Sequence, residues 1–554
     1  MNFQHDSHSR ESGNLQKKQK NSNRIGIKGT LVICISFFLP ACFVKKQSFY
    51  TNHDLKETFR YPILSEPPTL DWSKSTDTTS SLLIQNIMEG LTEYDFSKKH
   101  VQLKPALAAR WTSTEDKKTW SFFLREDVLW TDGKKLSPND FISAWERLLN
   151  PKTGSEYAYF LFPIKKAQEY NQGLIKDFKE VGVRIGDQGE LIVELKKGLF
   201  YFPYLLTHPS TFPIRKDIIN QKKSLWTSPQ NIVTLGPYKL SRWDHDKALI
   251  LTKNETYYGQ KPSIKKVILY IIPDETTIMN LYSGGLLDIA RPLLSRDLPF
   301  LKKRKDHYKN SSLSLYYYGF NVSADSLKNP KMRQAIAHAI SREEIVQLLN
   351  RGDKVLKSWI PEGLFAYNPN LGLGFKPKKA KELIKQMGYS DTSKLPKIQI
   401  FYNSSTDHKM IAENIQSQLK KNIGLNVELN SQEWKTYLHR LKTKEVELFR
   451  LGWLADYPDP DNFMNLMASF SDNNHTGWKN KRFDKLILQA MTTEDGPQRK
   501  KLYDQAQKIL LEEETAVFPI FTTVSHLLIS PRIKNYPLNV MSYILFKNIE
   551  IVED

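Results

Sequence analysis

The amino-acid sequence predicts an α/β protein with at least two lobes. Its 554 residues exceed what a single hydrophobic core usually serves. Segments with the period of a strand and segments with the period of a helix are mixed in both halves of the chain. Residues 397–434 run strand, helix, strand, and this βαβ order implies a parallel pair of strands in one sheet.

The composition is that of a globular protein. Hydrophobic residues make up 40% of the chain and charged residues 25%, which excludes a disordered chain and a multi-span membrane protein. The net charge is +20, of which residues 1–41 contribute +4 through six basic and two acidic side chains. Because the lysines are scattered along the whole chain, the charge indicates a basic surface. A binder of nucleic acid or of the envelope surface would instead require a contiguous basic stripe.

The N-terminal segment predicts export from the cytoplasm. A polar, basic stretch precedes residues 31–42, LVICISFFLPAC, whose apolar run is too short to cross a bilayer. This order is typical of a secretory signal peptide, which we predict over residues 1–41. The last four letters, LPAC, resemble a bacterial lipobox, and the resemblance implies that Cys42 is lipidated. An ordinary signal peptide with an incidental cysteine is the alternative; residues 42–56 follow as a linker.

Cysteine and motif content argue against catalysis. The only cysteines are Cys34 and Cys42, so the body of the protein has neither a disulfide framework nor a cysteine-based zinc site. The sequence contains no GxxxxGK[ST], HExxH or GxSxG motif. DYPDPDN, residues 456–462, lacks the glycine and glutamate of a calcium loop and predicts a surface loop. We therefore predict no catalytic residue, metal or cofactor; a surface peptidase, the rival hypothesis, would need a nucleophile or metal set near Asp456.

Turn and cap signals place the elements in order along the first half. A strand opens residues 57–72 and ends at a double proline, and residues 80–95 have the apolar spacing of a helix. A second helix begins at Ser137 and ends at Asn150. The remaining predictions are strands at 120–124, 189–197 and 263–272, a hairpin around a Gly-Pro turn within 231–254, and a helix leading into a strand at 279–290.

The second half continues the alternation of strands and helices. Strands are predicted within 313–323, 397–405, 425–434 and 516–524, and helices within 329–352, 377–389, 408–424 and 498–514. A further apolar strand opens the stretch at 448–465, LFRLGWLADYPDPDNFMN.

That last stretch carries charges that a buried strand does not need. A buried, unpaired carboxylate costs several kcal/mol, so Asp456 requires a cation. Six residues of extended strand put Arg450 roughly 20 Å away, and the two pair directly only if the chain folds back. The other possibility is a ligand that carries both charges, with an amine for Asp456 and a carboxylate for a cation elsewhere.

Four stretches together resemble a known family. They are DVLWTDGKKLSPNDFISAWERLLNPKTGSEYA, NIVTLGPYKL, KNIGLNVELNSQEWKTYL and RLGWLADYPDPDNFMN. The sequence resembles the oligopeptide-binding proteins of bacterial peptide ABC importers, family 5 of the extracytoplasmic solute-binding proteins, from about residue 57 to 550. The resemblance implies a two-lobed periplasmic-binding-protein fold of class II (cluster C), with a hinge and an inserted domain. The implied parts are lobe I (50–78, 217–313 and 524–554), inserted domain II (79–216) and lobe III (314–523).

The resemblance also implies residue roles. Asp456 would hold the α-ammonium of a peptide, and Gly452, Trp453 and Leu454 would bond its main chain. Side-chain contacts would come from Trp453, Trp434, Tyr157 and Glu66, and the distant carboxylate would meet His408 and Arg450. Relatives place an arginine where this chain has Leu441, so Arg440, one residue earlier, is an uncertain substitute that leaves peptide length open.

These implications define the expected protein. It is a monomeric, lipid-anchored receptor on the periplasmic side of the cell envelope that passes short peptides to an ABC permease and its ATPase, without binding nucleic acid. A binder of murein tripeptide or of dipeptides in the same family is the alternative.

Overall fold

The computed structural model describes residues 54–97 and 101–552. The predicted signal peptide, the predicted lipidation site Cys42 and residues 42–53 of the predicted linker lie outside these ranges. Within these ranges, no helix is both long enough and apolar enough to cross a membrane.

The first part of the described chain contains seven strands and five helices. The strands are β1 (Thr58–Ile63), β2 (Thr92–Asp95), β3 (Gln102–Pro105), β4 (Ala108–Ser113), β5 (Thr119–Leu124), β6 (Val183–Ile185) and β7 (Leu191–Glu194). The helices are α1 (Thr78–Ile87), α2 (Pro138–Leu149), α3 (Ala167–Asn171), α4 (Phe202–Leu205) and α5 (Lys216–Lys222).

The middle part is mainly strand. It contains β8 (Tyr238–Asp244), β9 (Ala248–Lys253), β10 (Lys266–Ile271), α6 (Glu275–Ser283), β11 (Ile289–Ala290), α7 (Leu298–Leu301) and β12 (His307–Ser311).

The last part alternates strands with longer helices. Its strands are β13 (Ser314–Phe320), β14 (Lys354–Val355), β15 (Ile398–Asn403), β16 (Val427–Gln432), β17 (Leu448–Leu454), β18 (Val517–Thr522), β19 (Val524–Ile529), β20 (Ile533–Lys534) and β21 (Glu550–Ile551). Its helices are α8 (Pro330–His338), α9 (Arg342–Leu349), α10 (Pro377–Gln386), α11 (Thr406–Ile423), α12 (Trp434–Thr443), α13 (Pro460–Leu466), α14 (Lys481–Met491) and α15 (Pro497–Lys508).

Two of the larger sheets join strands from distant stretches of the chain, because β1 pairs with β10 and β19 pairs with β11 and β12. Four-stranded sheets have the orders β1-β10-β9-β8 and β4-β5-β7-β6, and a three-stranded sheet has the order β11-β19-β12. A six-stranded sheet, β14-β18-β13-β17-β15-β16, holds the central strand β17. The predicted βαβ unit is confirmed, because β15 and β16 pair in parallel on either side of α11.

Local signals at α2 and α11 explain why these helices begin and end where they do. At the start of α2, the backbone N–H of Ser137 donates to the Asp140 carboxylate at 2.9 Å, and Pro138 occupies the first turn. The predicted boundaries of this helix are confirmed. α11 ends at Gly424, whose φ of +73° is the left-handed conformation that glycine adopts at least cost.

Several predicted elements are wrong in extent or burial. The helix predicted within 329–352 is divided into α8 and α9, and residues 456–462, predicted as a surface loop, are largely buried and lead into α13. The helix expected over 80–95 ends at Ile87, and Leu91 precedes the strand β2 instead of lying on the helical face. Gly90 explains the change of direction, because a Cβ there would lie 2.4 Å from the carbonyl oxygen of Leu206. The hairpin within 231–254 turns between β8 and β9 at residues 245–247, and the Gly-Pro pair only leads into β8.

The chain passes twice between the three-stranded and the six-stranded sheet. β12 leads into β13, and β18 leads into β19 through one intervening residue. The predicted lobe boundaries at 313/314 and 523/524 fall at these two passages, and the strands of each sheet come from a single predicted lobe or domain. The division into lobes I and III and domain II stays a prediction.

A buried ion-pair network ties β1 to the C-terminal strands. The Asp288 side chain is 0% exposed and accepts hydrogen bonds from Arg60 Nη2 at 2.7 Å and Arg532 Nε at 2.8 Å. Its second oxygen accepts from the backbone N–H of Arg60 at 2.7 Å. One carboxylate therefore balances two guanidiniums and joins three separate segments of the chain.

We predict that Asp288→Asn lowers the free energy of unfolding by about 3–5 kcal/mol, because it leaves two buried guanidiniums without a counter-charge. Urea denaturation followed by circular dichroism measures the change. Asp325→Asn is the matched control, since Asp325 pairs with Lys328 at the surface with its own side chain 93% exposed. Equal stability of the two variants would show that the network does not support the fold.

Candidate ligand-binding cavity

The described residues enclose a cavity of about 530 Å³ beside β17. This volume lies in the range of ligand sites, roughly 300–1,000 Å³. The wall combines β1, the start of α1, residues 207–209, β13, α12, β17 and residues 541–544. Seven of the ten predicted site residues line it: Tyr157, Trp434, Arg450, Gly452, Trp453, Leu454 and Asp456.

Glu66 and His408 do not lie on this wall. Glu66 accepts a hydrogen bond from the Trp243 indole, and its Oε1 lies 2.7 Å from His245 Nδ1. His408 lies in the first turn of α11, with Nδ1 3.4 Å from the hydroxyl of Tyr316, which does line the cavity. His408 therefore lies one layer behind the wall, in contact with Tyr316.

Arg440 also lies away from the wall. Trp434 and Leu438 line the cavity from one face of α12. Arg440 follows Leu438 by two residues, which rotates it by about 200° around the helix axis. Leu441, at the position where the family resemblance expects an arginine, is fully buried.

Asp456 lies just beyond the end of β17 and is buried without a strong cation. Asn462 Nδ2 donates to its carboxylate at 3.0 Å, and the backbone N–H of Asp456 donates to Asn462 Oδ1 at 3.1 Å. In the described part of the chain, no lysine or arginine forms an ion pair with this carboxylate. Burial raises the pKa of Asp456 to about 7, and the hydrogen bond from Asn462 offsets part of that rise.

His208 is the one ionisable side chain paired with Asp456 in the described ranges. Its Nε2 lies 3.5 Å from Asp456 Oδ1. Its Nδ1 accepts from the backbone N–H of Ser210 at 3.2 Å, so the proton of the neutral ring lies on Nε2 and points toward the carboxylate. Burial lowers the pKa of His208 to about 3, so near neutral pH this imidazole carries no charge. The negative charge of ionised Asp456 therefore remains uncompensated.

The main chain of β17 presents an edge to the cavity. β17 pairs with β13 along its whole length, but with β15 only through its first two residues. The Arg450 carbonyl faces the β15 side, where the hydroxyl of Tyr437 donates to it. Successive residues of a strand direct their N–H and C=O groups to alternate edges, so those of Gly452 and Leu454 face the same side. No described strand pairs with them there, and they can bond an extended ligand.

Arg450 provides a positive group on the same strand. Its guanidinium lies 4.4 Å from the centroid of the Tyr316 ring, and Nη1 donates to Asn403 Oδ1 at 3.0 Å. Nε is buried without a hydrogen-bond partner. A Cβ at Gly452 would lie 3.5 Å from Nη2, so the guanidinium extends over this glycine toward the cavity. Among the residues described, no carboxylate forms an ion pair with Arg450.

Contacts between predicted domain II and predicted lobe III close the cavity. Lys442 Nζ lies 2.8 Å from Glu156 Oε1, and Asn473 Nδ2 donates to the carbonyl oxygen of Glu156 at 3.3 Å. The hydroxyl of Tyr94 donates to the carbonyl oxygen of Asp456. The structure is thus a closed arrangement, in which the Asp456 side chain is largely shielded from water and 14% exposed.

Sequence reasoning missed several residues of the site, among them His208, Asn462, Tyr94 and Arg291. Asn462 lies in the stretch that had been singled out, and its place six residues after Asp456 was the available signal. The other three lie on distant segments and have no motif of their own. Only the tertiary fold brings them together.

Comparison with known proteins yields a matching family model and similar relatives. Residues 102–475 match the family model for bacterial extracellular solute-binding proteins, family 5 Middle. The chain is 32% identical over 481 residues to the oligopeptide-binding protein OppA of Bacillus subtilis, and the match covers 84% of this chain and 87% of that protein.

Solved structures show the same fold. Haemophilus influenzae OppA in complex with RPPGFSPFR has a TM-score of 0.85 at 27% identity, covering 90% of this chain and 100% of that one. The murein tripeptide binding protein MppA of Escherichia coli has a TM-score of 0.86 at 29% identity, with coverage of 90% and 99%. The predicted two-lobed periplasmic-binding-protein fold is confirmed.

We predict a pH-dependent stability difference between the ligand-free protein and Asp456→Asn. The pKa of Asp456 is about 7 in the folded state and near the ordinary 3.8 in the unfolded state, so only the folded state keeps this proton between these pH values. The free energy of unfolding of the wild type should therefore fall, relative to the variant, by up to about 1.4 kcal/mol per pH unit as pH rises from roughly 4 to 7. Chemical denaturation across this pH range tests the prediction, and parallel curves would contradict it.

Proposed function

The chain belongs to family 5 of the bacterial extracellular solute-binding proteins, and on that premise we propose that it is a non-enzymatic receptor for short peptides. Relatives named for oligopeptide binding support this ligand class, as does the H. influenzae structure that holds a nine-residue peptide.

One observation carries the proposal. The cavity holds a carboxylic acid and a guanidinium, and no charged side chain in the described part of the chain pairs with either. Asp456 lies at one end of the β17 edge and Arg450 lies further along the same strand. Burying either charge costs free energy until an opposite charge arrives. A peptide supplies both charges, because its N-terminal ammonium and its C-terminal carboxylate lie at opposite ends of an extended chain.

The edge of β17 supplies the rest of the recognition. The N–H and C=O groups of Gly452 and Leu454 would bond the peptide main chain as an added strand does. Main-chain bonds do not depend on the side chains of the ligand, so we expect tolerance of many peptide sequences. Trp453, Trp434 and Tyr157 would surround the side chains with largely apolar surface.

We further propose that the receptor acts as a monomer outside the cytoplasm and delivers its ligand to an ABC permease driven by an ATPase. Relatives described as periplasmic support the location. The LPAC sequence supports lipid anchoring through Cys42, on the periplasmic side of the envelope. The charged side chains of the cavity wall argue against a polyanionic ligand such as nucleic acid, because the described lining residues include only two arginines and no lysine, together with the acid Asp456.

We predict that Asp456→Asn keeps the fold and weakens peptide binding by at least about 100-fold, because an amide cannot balance a desolvated ammonium. Isothermal titration calorimetry with a tri-alanine or tetra-alanine peptide measures the loss. N-acetylation of the same peptide should cost the wild type a similar factor and should cost the variant little.

Asp461→Asn is the matched control for that experiment. Burial raises the pKa of Asp461 to about 7 as well, but this residue does not line the cavity and accepts from Tyr457 and Asn465. Its variant should bind peptide as the wild type does. Unchanged affinity in Asp456→Asn, or equal losses in both variants, would contradict the assigned role.

We predict that Cys42→Ala moves the protein from the membrane fraction to the soluble fraction, because the variant lacks the thiol that would carry the lipid. Fractionation of cells followed by immunoblotting measures the distribution, and metabolic labelling with a fatty acid should mark only the wild type. Sedimentation of the variant with the membranes would contradict lipid anchoring at Cys42.

A further inference from the structure

A second arginine faces the same cavity from the opposite wall. Arg291 directly follows β11 in the three-stranded sheet, and neither sequence motif nor resemblance drew attention to it. Its Nη1 donates to the hydroxyl of Tyr61 at 2.7 Å. The hydroxyl of Tyr536 lies 3.5 Å from the hydroxyl of Tyr61. The Tyr61 ring centroid lies 6.0 Å from the guanidinium carbon. These neutral phenols hold the side chain in place and leave its charge unbalanced.

The guanidinium of Arg291 retains hydrogen-bonding capacity. An arginine side chain has five N–H donors in a planar fork that matches a carboxylate. Nη1 donates to Tyr61, Tyr536 also lies within hydrogen-bonding reach of the guanidinium, and none of the Arg291 nitrogens is a buried donor without a partner. No carboxylate in the described ranges forms an ion pair with it. The guanidinium lines the cavity, and the donors that these two phenols leave unused can bond a ligand there.

The cavity wall offers a ligand more positive groups than negative groups. Two acids line the cavity, but Asp77 accepts from the backbone N–H groups of Thr79 and Ser80, each at 3.0 Å, and from the Ser80 hydroxyl at 2.6 Å. Its carboxylate thus caps α1 and is occupied within the protein. Asp456 remains for one ligand ammonium, whereas two guanidiniums remain for anionic groups of the ligand.

We propose that Arg291 is a specificity-determining residue that binds a carboxylate of the ligand, so that peptides able to place a carboxylate beside it are preferred. This inference rests on the proposed peptide-binding function and defines the ligand class within it. The same chemistry has two sources: an acidic side chain of a short peptide, or the C-terminal carboxylate of a peptide whose length brings it to Arg291 rather than to Arg450.

Calorimetric titration of the wild type, Arg291→Gln and Arg291→Lys with two peptide sets tests the proposal. The first set contains tri-alanine and tripeptides with glutamate or glutamine at each position. The second contains alanine peptides of three to six residues with a free or amidated C-terminus. Gln keeps a donor for Tyr61 but removes the charge, and Lys keeps the charge without the fork; thermal melts verify that both variants fold.

If Arg291 binds an acidic side chain, then at one position of the tripeptide the glutamate peptide should bind the wild type at least about tenfold more tightly than the glutamine peptide. In Arg291→Gln this ratio should fall to within about twofold, with the glutamine peptide unaffected, and Arg291→Lys should keep part of the preference. If Arg291 binds the C-terminal carboxylate instead, the wild type should prefer the free-acid peptide over its amide at one peptide length only. That preference should fall in Arg291→Gln and persist in part in Arg291→Lys. If neither ratio depends on residue 291 while Asp456→Asn still abolishes binding, this inference fails and the proposed function stands. If the wild type binds none of the peptides, both fail.

Discussion

The structure depends on one electrostatic constraint: a carboxylate is held in a closed cavity without a cation of its own. Asp456 receives a hydrogen bond from Asn462 and faces a neutral His208, and neither contact supplies positive charge. Burial therefore raises its pKa to about 7, so that the carboxyl is partly protonated near neutral pH. An arriving ammonium would remove this cost, which links binding of the ligand to closure of the cavity and to loss of a proton.

A few elements of the fold form the cavity around Asp456. β17 lies in the middle of the six-stranded sheet, yet past its first two residues only β13 pairs with it, so one strand contributes the acid, the bonding edge and Arg450. Segments from elsewhere complete the enclosure: residues 207–209, the start of α1 and Arg291. The two passages between sheets, β12 to β13 and β18 to β19, lie next to this cavity, where a change of backbone angles would open or close it.

The sequence was informative where function is concentrated in consecutive residues. Arg450, Gly452, Trp453 and Asp456 share one strand and its exit, and their awkward chemistry could be recognised without a structure. His208 and Arg291 could not be found in that way, because an isolated histidine or arginine in an ordinary loop has no distinguishing pattern. The end of α1 was mispredicted for a related reason: the close approach of Gly90 to Leu206 is a tertiary contact that apolar spacing does not record.

The number of protons released when a peptide binds at pH 6 tests the central claim most directly. Titration calorimetry in buffers of different ionisation enthalpy yields this number. With the pKa of Asp456 at about 7 in the closed arrangement without a ligand, the carboxyl is mostly protonated there at pH 6, and an incoming ammonium should release close to one proton per peptide. Binding without proton release at this pH would show that the acid is already ionised and compensated before the ligand arrives, which would contradict the account.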